Sequence, residues 1–389
     1  MLSIIFLLII FCLIYICLCV SATEYTTLGK IKLKLTNIAQ TIYKVLPTPC
    51  QTFLYSKYDY LFNKPNPVVQ IIYIFLVLGL FYFYHAYGVE KIFPHKHLSM
   101  KIMYPAYLFL ALSLYSFYLS STIEPGIITK KNSSTLKLKY THPSLFGTNS
   151  KNDCTKCKIP IIPRSKHCYV CDKCIEKFDH HCIWVNQCIG AKNYRFFILF
   201  LFSHCILTFY AGGVGLLFLY YYIKDNNLLK ATFYKRDTQE KVEGNLGIVL
   251  KYVMGNNYAF FCTVIMLIVI AIMLLIFMLY HFYLIKLNLT TNERNKQIKT
   301  LRTMKILKEI LIAVSKTTNF KLFFKELTGE EIQKYKRITF EEPETDLDTF
   351  KENEINTFYN FAEQSIFIFR KNPYDKGFYQ CFLDIMKGQ

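Results

Sequence analysis

Apolar and polar stretches alternate along this chain, and five apolar stretches are long enough to cross a lipid bilayer as helices, which takes roughly 20 residues each. They occupy residues 2–20, 68–89, 102–121, 196–222 and 258–285. One such run could be a buried helix of a soluble protein, but five could not share a water-soluble core. We therefore expect an all-α polytopic membrane protein with about five transmembrane helices.

The first apolar run could be a signal peptide or a membrane anchor. A signal peptide has a positively charged leader and a short apolar core before its cleavage site. This run is long, and no charge precedes Glu24. Val20-Ser21-Ala22 would still serve as a cleavage site. The pattern favours an uncleaved signal anchor over residues 1–22, with cleavage as the alternative.

The distribution of Lys and Arg predicts the orientation of the chain, because cytosolic loops carry an excess of them. With a lumenal amino terminus, residues 21–67, 122–195 and 286–389 face the cytosol and carry 37 of the 46 basic residues. The formal net charge of +19 is then explained by topology and by attraction to the anionic headgroups of the bilayer. We expect no nucleic-acid partner.

Half of the fourteen cysteines, three of the nine histidines and the only tryptophan lie between Cys154 and Cys188. The reducing cytosol leaves such thiols free for metal binding and catalysis. Tetrahedral zinc takes four Cys or His ligands, so eight of these residues would fill two structural sites. The eight candidate ligands are Cys154, Cys157, His167, Cys168, Cys171, Cys174, His181 and Cys188.

Three further residues of this block could take part in catalysis, and the eight metal ligands do not include them. Asp179, His180 and Cys182 belong to the run Asp179-His180-His181-Cys182. A thiol needs a base and a positive environment to react as a thiolate, and an imidazole oriented by a carboxylate provides both. A purely structural zinc module leaves these three residues unexplained. We therefore predict Cys182 as a nucleophile, His180 as its base and Asp179 as the group that orients the imidazole.

The block resembles the cysteine-rich domain of the DHHC protein S-acyltransferases, or palmitoyltransferases. Besides the tetrapeptide, the matching positions are His167, Cys168, Trp184, Asn186, Cys188, Gly190, Asn193 and Phe197. The resemblance implies interleaved ligands, while spacing by itself leaves other pairings open. In the implied pattern one zinc ion is held by Cys154, Cys157, His167 and Cys174, and the other by Cys168, Cys171, His181 and Cys188.

The resemblance also implies a reaction, in which Cys182 takes a palmitoyl group from palmitoyl-CoA and passes it to a cysteine of a substrate protein. The two zinc ions are then structural, because four protein ligands leave no open position. Lys192 and Arg195 are candidate contacts for the CoA phosphates, although anchoring to lipid headgroups is the favoured interpretation. The alternative function is a membrane-anchored zinc-binding interaction or adaptor protein without catalysis.

Three short segments outside the block also match the family. Residues 124–126, Glu-Pro-Gly, stand where the family has Asp-Pro-Gly, and Pro-Gly by itself stops a helix. Residues 290–293, Thr-Thr-Asn-Glu, match a Thr-Thr-x-Glu and also fit a helix capping box; their position after the last span favours contact with the catalytic block. Residues 372–377 match a motif that continues to an Asn, where this chain has Cys381.

These observations divide the chain into six parts. They are a signal anchor (1–22), a cytosolic linker (23–67), a transmembrane hairpin (68–121), a cytosolic cysteine-rich zinc domain (122–195), a second transmembrane hairpin (196–285) and a cytosolic tail (286–389). We expect the linker to be turn-rich and without a role in catalysis, and 127–153 to be an ordinary polar linker. In the tail we expect partial helix over 294–337 and a solvated acidic segment over 341–356.

Within the family, the long amino-terminal span, the short lumenal loop and the run Arg-Ser-Lys-His-Cys at 164–168 are similar to palmitoyltransferases of the yeast endoplasmic reticulum that act on SNAREs. Such substrates carry cysteines at the cytosolic end of a transmembrane helix. The resemblance predicts a multi-pass endoplasmic-reticulum protein with a cytosolic cysteine-rich domain. Its predicted partners are palmitoyl-CoA, the bilayer and membrane proteins with juxtamembrane cysteines.

Overall fold

The structure is a computed structural model that describes residues 47–90, 96–140, 153–234, 239–302 and 376–387, with a few isolated positions before residue 47. In these ranges four helices are long and apolar enough to cross a membrane. They are Val68–Val89, Met100–Thr122, Tyr194–Asp225 and Tyr258–Lys286. Four predicted spans are thereby confirmed, and the first, 2–20, lies outside the described residues.

The predicted linker 23–67 contains a helix, α1, at Thr48–Asn63, so the expectation of a turn-rich segment is wrong there. Prolines favour turns, but here they lie at the ends of a helix. Pro49 is in the first turn, where a missing N–H costs no helical hydrogen bond, and Pro65 follows the last residue. Prolines in these positions bound a helix without interrupting it.

The first two membrane spans both contain irregular turns. Helix α2 is α-helical over Val68–Tyr84 and continues as a π-helical turn over His85–Val89. The second span opens with a 3₁₀ turn, Met100–Met103, and continues as α3, Tyr104–Thr122. Gly88 lies in the π turn, where a Cβ atom would come within 2.1 Å of the Phe260 ring. A glycine is therefore required where the turn packs on the last membrane helix.

The predicted polar linker 127–153 is helical over Lys130–Lys139, α4, so the expectation of an ordinary linker is wrong for this part. The helix begins at a capping box, in which the N–H of Thr129 donates to Oδ1 of Asn132 at 2.8 Å. Such a box satisfies backbone N–H groups that a helix start leaves unpaired. The sequence carried the signal, with Asn in place of the usual Glu or Gln. Residues 141–152 lie outside the described part.

Two short antiparallel hairpins form the cysteine-rich domain. Strand β1 (Lys166–Cys168) pairs with β2 (Lys173–Ile175), and β3 (His180–Cys182) pairs with β4 (Gln187–Ile189). An isolated two-stranded hairpin is marginally stable at best in water. The domain therefore depends on contacts between side chains of the two hairpins and on the helices that adjoin it.

Helix α5 (Tyr194–Asp225) is the centre of the membrane bundle and packs against α3 and against α7 (Tyr258–Lys286). Of an apolar 18-residue stretch of α5, 67% is buried. The corresponding share is 28% both for the span that contains α3 and for α7. Small residues let the helices approach closely, as is common in membranes. A Cβ atom at Gly215 would lie 2.4 Å from Cγ2 of Val264.

The remaining described elements lie at the two ends of the bundle. Between α5 and α7 the chain forms a hairpin of β5 (Thr232–Tyr234) and β6 (Lys241–Glu243), followed by α6 (Leu246–Asn256). Near the end of the chain, α8 (Phe378–Lys387) packs against α5 and α7. Residues 291–302 are helical, which agrees with partial helix after residue 294. The acidic segment 341–356 and residues 372–375 lie outside the described part.

We predict that Gly215→Ala destabilises the bundle by about 1–3 kcal/mol, the usual cost of overpacking a core, because Val264 has a short, branched side chain that cannot move aside. Gly213 is the matched control, since a Cβ atom there meets nothing within 4 Å. Gly213→Ala should be neutral or slightly stabilising. Thermal unfolding of the purified proteins in one detergent checks both, and equal midpoints for the two variants would contradict the predicted close packing.

Candidate active site and metal centres

The eight predicted metal ligands gather into two groups, each with three cysteines and one histidine. The first consists of Cys154, Cys157, His167 and Cys174, and the second of Cys168, Cys171, His181 and Cys188. This is the partition that the resemblance implied. The second group repeats the first 14 residues later, ligand for ligand. The repeat is a signal in the spacing that favours this grouping over the other pairings.

The two hairpins explain how the repeat produces two separate groups. In each hairpin a histidine stands directly opposite a cysteine, His167 opposite Cys174 and His181 opposite Cys188. The Cys-x2-Cys segment before each hairpin is folded so that the N–H of its second cysteine lies 3.5 Å from the sulfur of its first. Each group therefore combines one such segment with one pair of opposed strand residues.

The donor atoms fit tetrahedral zinc. Sγ of Cys157 lies 3.3 Å from Nδ1 of His167, and Sγ of Cys171 lies 3.3 Å from Nδ1 of His181. The other sulfurs lie 3.6–3.8 Å from the same nitrogens. Zinc with Zn–S of about 2.3 Å and Zn–N of about 2.0 Å separates such ligands by about 3.5 Å. With four protein ligands each, ions held there would be structural and would contribute to folding.

Side chains alternate along strand β3, so neighbouring residues of the tetrapeptide 179–182 lie on different faces of the hairpin. Adjacent residues of a strand point to opposite faces of the sheet. The imidazole of His181 lies among the sulfurs of the second metal group. The side chains of His180 and Cys182 share the other face, and they lie close enough for the thiol to raise the pKa of the imidazole. A three-residue strand thus carries a metal ligand between a candidate base and a candidate nucleophile.

Asp179 holds the candidate base in a fixed orientation. Its Oδ2 accepts a hydrogen bond from Nδ1 of His180 at 2.7 Å, and its Oδ1 accepts one from the N–H of Thr291 at 2.7 Å. The residue is 2% exposed, so water does not compete for either oxygen. With Nδ1 of His180 occupied, Nε2 is the nitrogen left for Cys182.

His180 and Cys182 shift each other's pKa in the directions that favour an ion pair. Burial alone would lower the pKa of His180, but hydrogen bonds to Asp179 and Cys182 outweigh it and raise the pKa to about 10. Burial alone would raise the pKa of the Cys182 thiol. The hydrogen bond and charge of His180, with the N–H groups of Val185 and Trp184, outweigh burial and lower that pKa. A thiolate beside an imidazolium is the reactive form of a cysteine nucleophile.

The sulfur of Cys182 lies where the cysteine-rich domain meets the membrane helices. Cys182 is buried and packs in one apolar cluster with Phe117 of α3, Phe197 of α5 and Ile285 of α7. The ring of Phe197 stands edge-on to His180, with centroids 5.1 Å apart. Apolar side chains from three membrane helices therefore pack in the same cluster as the candidate nucleophile.

Polar side chains fasten the domain to the end of α3. Nε2 of Gln187 donates to the backbone oxygens of Ile123 at 2.7 Å and Ser120 at 3.1 Å. Nδ2 of Asn193 donates to the backbone oxygens of Cys188 at 2.9 Å and Ile123 at 3.3 Å. The last carbonyl groups of a helix lack partners within it. The domain supplies those partners, which sets its position on the bundle.

Residues 290–293 form a capping box and also contact the domain, so both interpretations of this segment are confirmed. The N–H of Thr290 donates to Oε2 of Glu293 at 2.9 Å, and the N–H of Glu293 donates to Oγ1 of Thr290 at 3.2 Å. The Glu293 carboxylate also accepts two hydrogen bonds of 2.8 Å from Arg164. Arg164 was not among the predicted site residues, because its partner Glu293 is 129 residues away along the chain.

The two predicted CoA contacts differ in their surroundings. Nη1 of Arg195 donates to the backbone oxygen of Met386 at 3.1 Å. A cation is favourable there, near the carboxyl-terminal end of α8. Lys192 is exposed just before α5 begins. Contact with phosphate stays a prediction for both residues.

Cys381 of α8 stands where the family pattern has Asn, and it is 3% exposed. It packs in the same apolar cluster as Cys182. A buried free cysteine behaves as a small apolar side chain. At this position the chain therefore fills space with a thiol.

Comparison with known proteins agrees with this geometry. A family model described as DHHC palmitoyltransferase matches residues 147–298. Palmitoyltransferase ZDHHC4 of Rattus norvegicus is 30% identical over 290 residues, which cover 72% of this chain and 80% of the rat protein. Two proteins of Schizosaccharomyces pombe are also similar. Palmitoyltransferase swf1 is 29% identical over 64% of each chain, and palmitoyltransferase erf2 is 36% identical over 28% of this chain and 35% of its own.

We predict that the purified, folded protein contains two zinc ions per chain. His181→Ala should lose one ion and unfold at a lower temperature, because metal binding contributes to the folding free energy of such domains. His97→Ala is the matched control, since His97 lies outside both groups and contacts Asp225; it should keep both ions. Elemental analysis beside protein concentration measures the ratio, and a His181→Ala protein with both ions would show that the ligand set is misassigned.

Proposed function

The chain belongs to the DHHC palmitoyltransferase family and is a protein S-palmitoyltransferase, and we propose that Cys182 is the residue that carries the acyl group. The observation that supports this assignment is the trio Asp179, His180 and Cys182. It lies outside both metal groups and places an imidazole that is hydrogen-bonded to a carboxylate beside a thiol whose pKa it lowers. A structural zinc module or adaptor needs none of the three.

In the proposed first half-reaction, His180 takes the thiol proton of Cys182, and Sγ attacks the carbonyl carbon of the palmitoyl-CoA thioester. The bond from that carbon to the CoA sulfur breaks, and the departing thiolate takes the proton from His180. Asp179 orients the imidazole and stabilises its charged form. The enzyme then carries the palmitoyl group as a thioester on Cys182.

In the second half-reaction, the thiol of a substrate protein gives its proton to His180 and attacks the acyl carbon. The bond to Cys182 breaks, and the released sulfur regains the proton from His180. Each half-reaction exchanges one thioester for another, so no nucleotide needs to be hydrolysed. The zinc ions, when bound, supply rigidity to the hairpins that carry these groups.

The acyl chain would lie among the membrane helices that surround Cys182. Burial of each methylene contributes about 0.8 kcal/mol, which favours long chains. For the other end of the donor, we propose that Lys192 and Arg195 contact phosphate, either of CoA or of lipid headgroups. Both flank the start of α5, close in sequence to the domain.

We further propose that the substrates are membrane proteins with a cysteine at the cytosolic end of a transmembrane helix, SNAREs among them. Cys182 packs against ends of three membrane helices, so an acceptor thiol must reach that level of the bilayer. The concentration of Lys and Arg in three segments supports a cytosolic domain. The arrangement of spans, similar to that of endoplasmic-reticulum members of the family, supports location in that membrane and the six-part division of the chain.

We predict that Cys182→Ser keeps both zinc ions and loses the covalent label from radioactive palmitoyl-CoA, because Cys182 is surplus to the metal groups. His180→Ala should keep both ions and acquire the label about 10²–10⁴-fold more slowly, the usual contribution of a general base. Cys205→Ser is the control, since Cys205 is a buried cysteine of α5 outside the trio, and it should label normally. Hydroxylamine release identifies the thioester.

Two outcomes would contradict the proposed role of Cys182. A Cys182→Ser protein that sheds zinc and still acquires a hydroxylamine-sensitive label would make Cys182 a ligand and assign the acyl group to another cysteine. A native protein with two zinc ions and no label at all would favour the adaptor function.

We also predict which reporter proteins are modified in cells. A single-span reporter retained in the endoplasmic reticulum should be palmitoylated when its only cysteine lies at the cytosolic end of the span. The reason is that the sulfur of Cys182 lies beside the ends of the enzyme's own membrane helices. The same reporter with the cysteine moved to the lumenal end, or about 20 residues into the cytosol, should remain unmodified. Acyl exchange with and without the enzyme measures this, and modification of the lumenal cysteine would contradict the proposed orientation.

A further inference from the structure

A buried asparagine joins α1 to α2. Asn66 is 6% exposed, although it lies between two prolines in a segment that the sequence predicted to be a linker. Its Nδ2 donates to the backbone oxygens of Tyr60 at 2.7 Å, Leu61 at 3.2 Å and Lys64 at 2.9 Å. Its Oδ1 accepts from the N–H of Val68 at 3.1 Å. One side chain thus satisfies carbonyl groups at the end of α1 and an N–H group at the start of α2.

The same junction contacts the turn that follows the candidate nucleophile. The backbone N–H of Asn66 donates to Oδ1 of Asn186 at 3.1 Å. Within the first turn of α2, Nε2 of Gln70 donates to the backbone oxygen of Val185 at 3.2 Å. Both acceptors belong to residues 183–186, which we call the catalytic turn, and a backbone hydrogen bond of 3.3 Å closes that turn. The two contacts join segments that are 115 and 120 residues apart.

The catalytic turn in turn contacts the sulfur. The turn begins at the residue after Cys182, and the backbone N–H groups of Trp184 and Val185 lie close enough to the thiol to lower its pKa. Asn186 has a φ of 51°, a left-handed conformation that Asn, Asp and Gly adopt more readily than other residues. The residue that gives the turn its shape is therefore the one that Asn66 contacts. Hydrogen bonds weaken steeply as their angle departs from linear, so the strength of both N–H contacts depends on how the turn is held.

We propose that Asn66 and Gln70 are positioning residues for acyl transfer, which act through the catalytic turn to aim two backbone N–H groups at the sulfur of Cys182. This inference rests on the proposed function of Cys182. Neither side chain touches the reacting atoms. The reactivity of the sulfur is thereby linked to the junction of α1 and α2, in a segment that carries no recognisable catalytic motif.

The test is the single-turnover rate of self-acylation, measured against palmitoyl-CoA concentration with the full-length protein in detergent. Asn66→Ala and Gln70→Met should each lower the maximal rate constant on the order of tenfold, because small displacements of a reacting group are costly. The half-saturating concentration and the content of two zinc ions should stay at native values. The matched control is Asn63→Ala, since Asn63 is an exposed residue of α1 whose side chain donates to Asp59; it should acylate at the native rate.

A double-mutant cycle separates positioning from a general loss of stability. Asn186→Gly removes the acceptor for Asn66 and suits the left-handed φ. If Asn66 acts through the turn, Asn66→Ala should lower the rate constant much less in the Asn186→Gly background than in the native one. Gln70→Met leaves every hydrogen bond of Asn66 in place, so it tests the proposal by itself if Asn66→Ala does not fold.

Native maximal rate constants in Asn66→Ala and Gln70→Met would overturn the proposal, as would fully additive effects in the cycle. A fall in zinc content that parallels the fall in rate would also overturn it, because the effect would then be structural. These outcomes differ from failure of the proposed function, in which Cys182→Ser would keep its acyl label whatever happens at Asn66.

Discussion

Successive side chains of strand β3 point to opposite faces of its hairpin, and the arrangement of the site depends on that alternation. His181 contacts the second group of metal ligands, while His180 and Cys182 lie on the other face. Metal binding and the proposed acyl transfer can therefore use consecutive residues without competing for the same atoms. A metal ion held by His181 would also fix the strand whose other face carries the proposed nucleophile.

The domain must also be held against the membrane, and buried polar contacts do this. Asp179 receives an N–H from the helical segment after α7, and Arg164 and Glu293 pair in the same region. The Arg164 guanidinium also donates to Asn288, so its charge is matched and it makes four hydrogen bonds in all. Buried charges are tolerated only when they are paired and hydrogen-bonded in this way. Such contacts define one orientation of the domain, since a shift would leave charges unpaired.

Local sequence patterns correctly predicted the elements for which a residue pattern permits only one stable structure. A run of about 20 apolar residues forms a membrane helix because lipid offers no partners for backbone groups. A dense set of cysteines and histidines in the cytosol indicates zinc. The three residues that are not needed as ligands, Asp179, His180 and Cys182, indicate a catalytic function. The predictions failed for α1 and α4, where prolines and polar residues were interpreted as linkers. In both cases these residues bound a helix, as Pro49 and the Thr129–Asn132 box do.

The sequence by itself determined the class of protein, the number of metal ligands and the identity of the candidate nucleophile, because each depends on residue types and short spacings. The 14-residue repeat shows that even the grouping of ligands was present in the spacing. Tertiary structure alone decided which distant residues complete the site. Thr291 reaches Asp179, Glu293 reaches Arg164, and Asn66 reaches Asn186. These pairs are separated by more than a hundred residues and involve backbone atoms or common polar side chains, so only the folded chain brings them together.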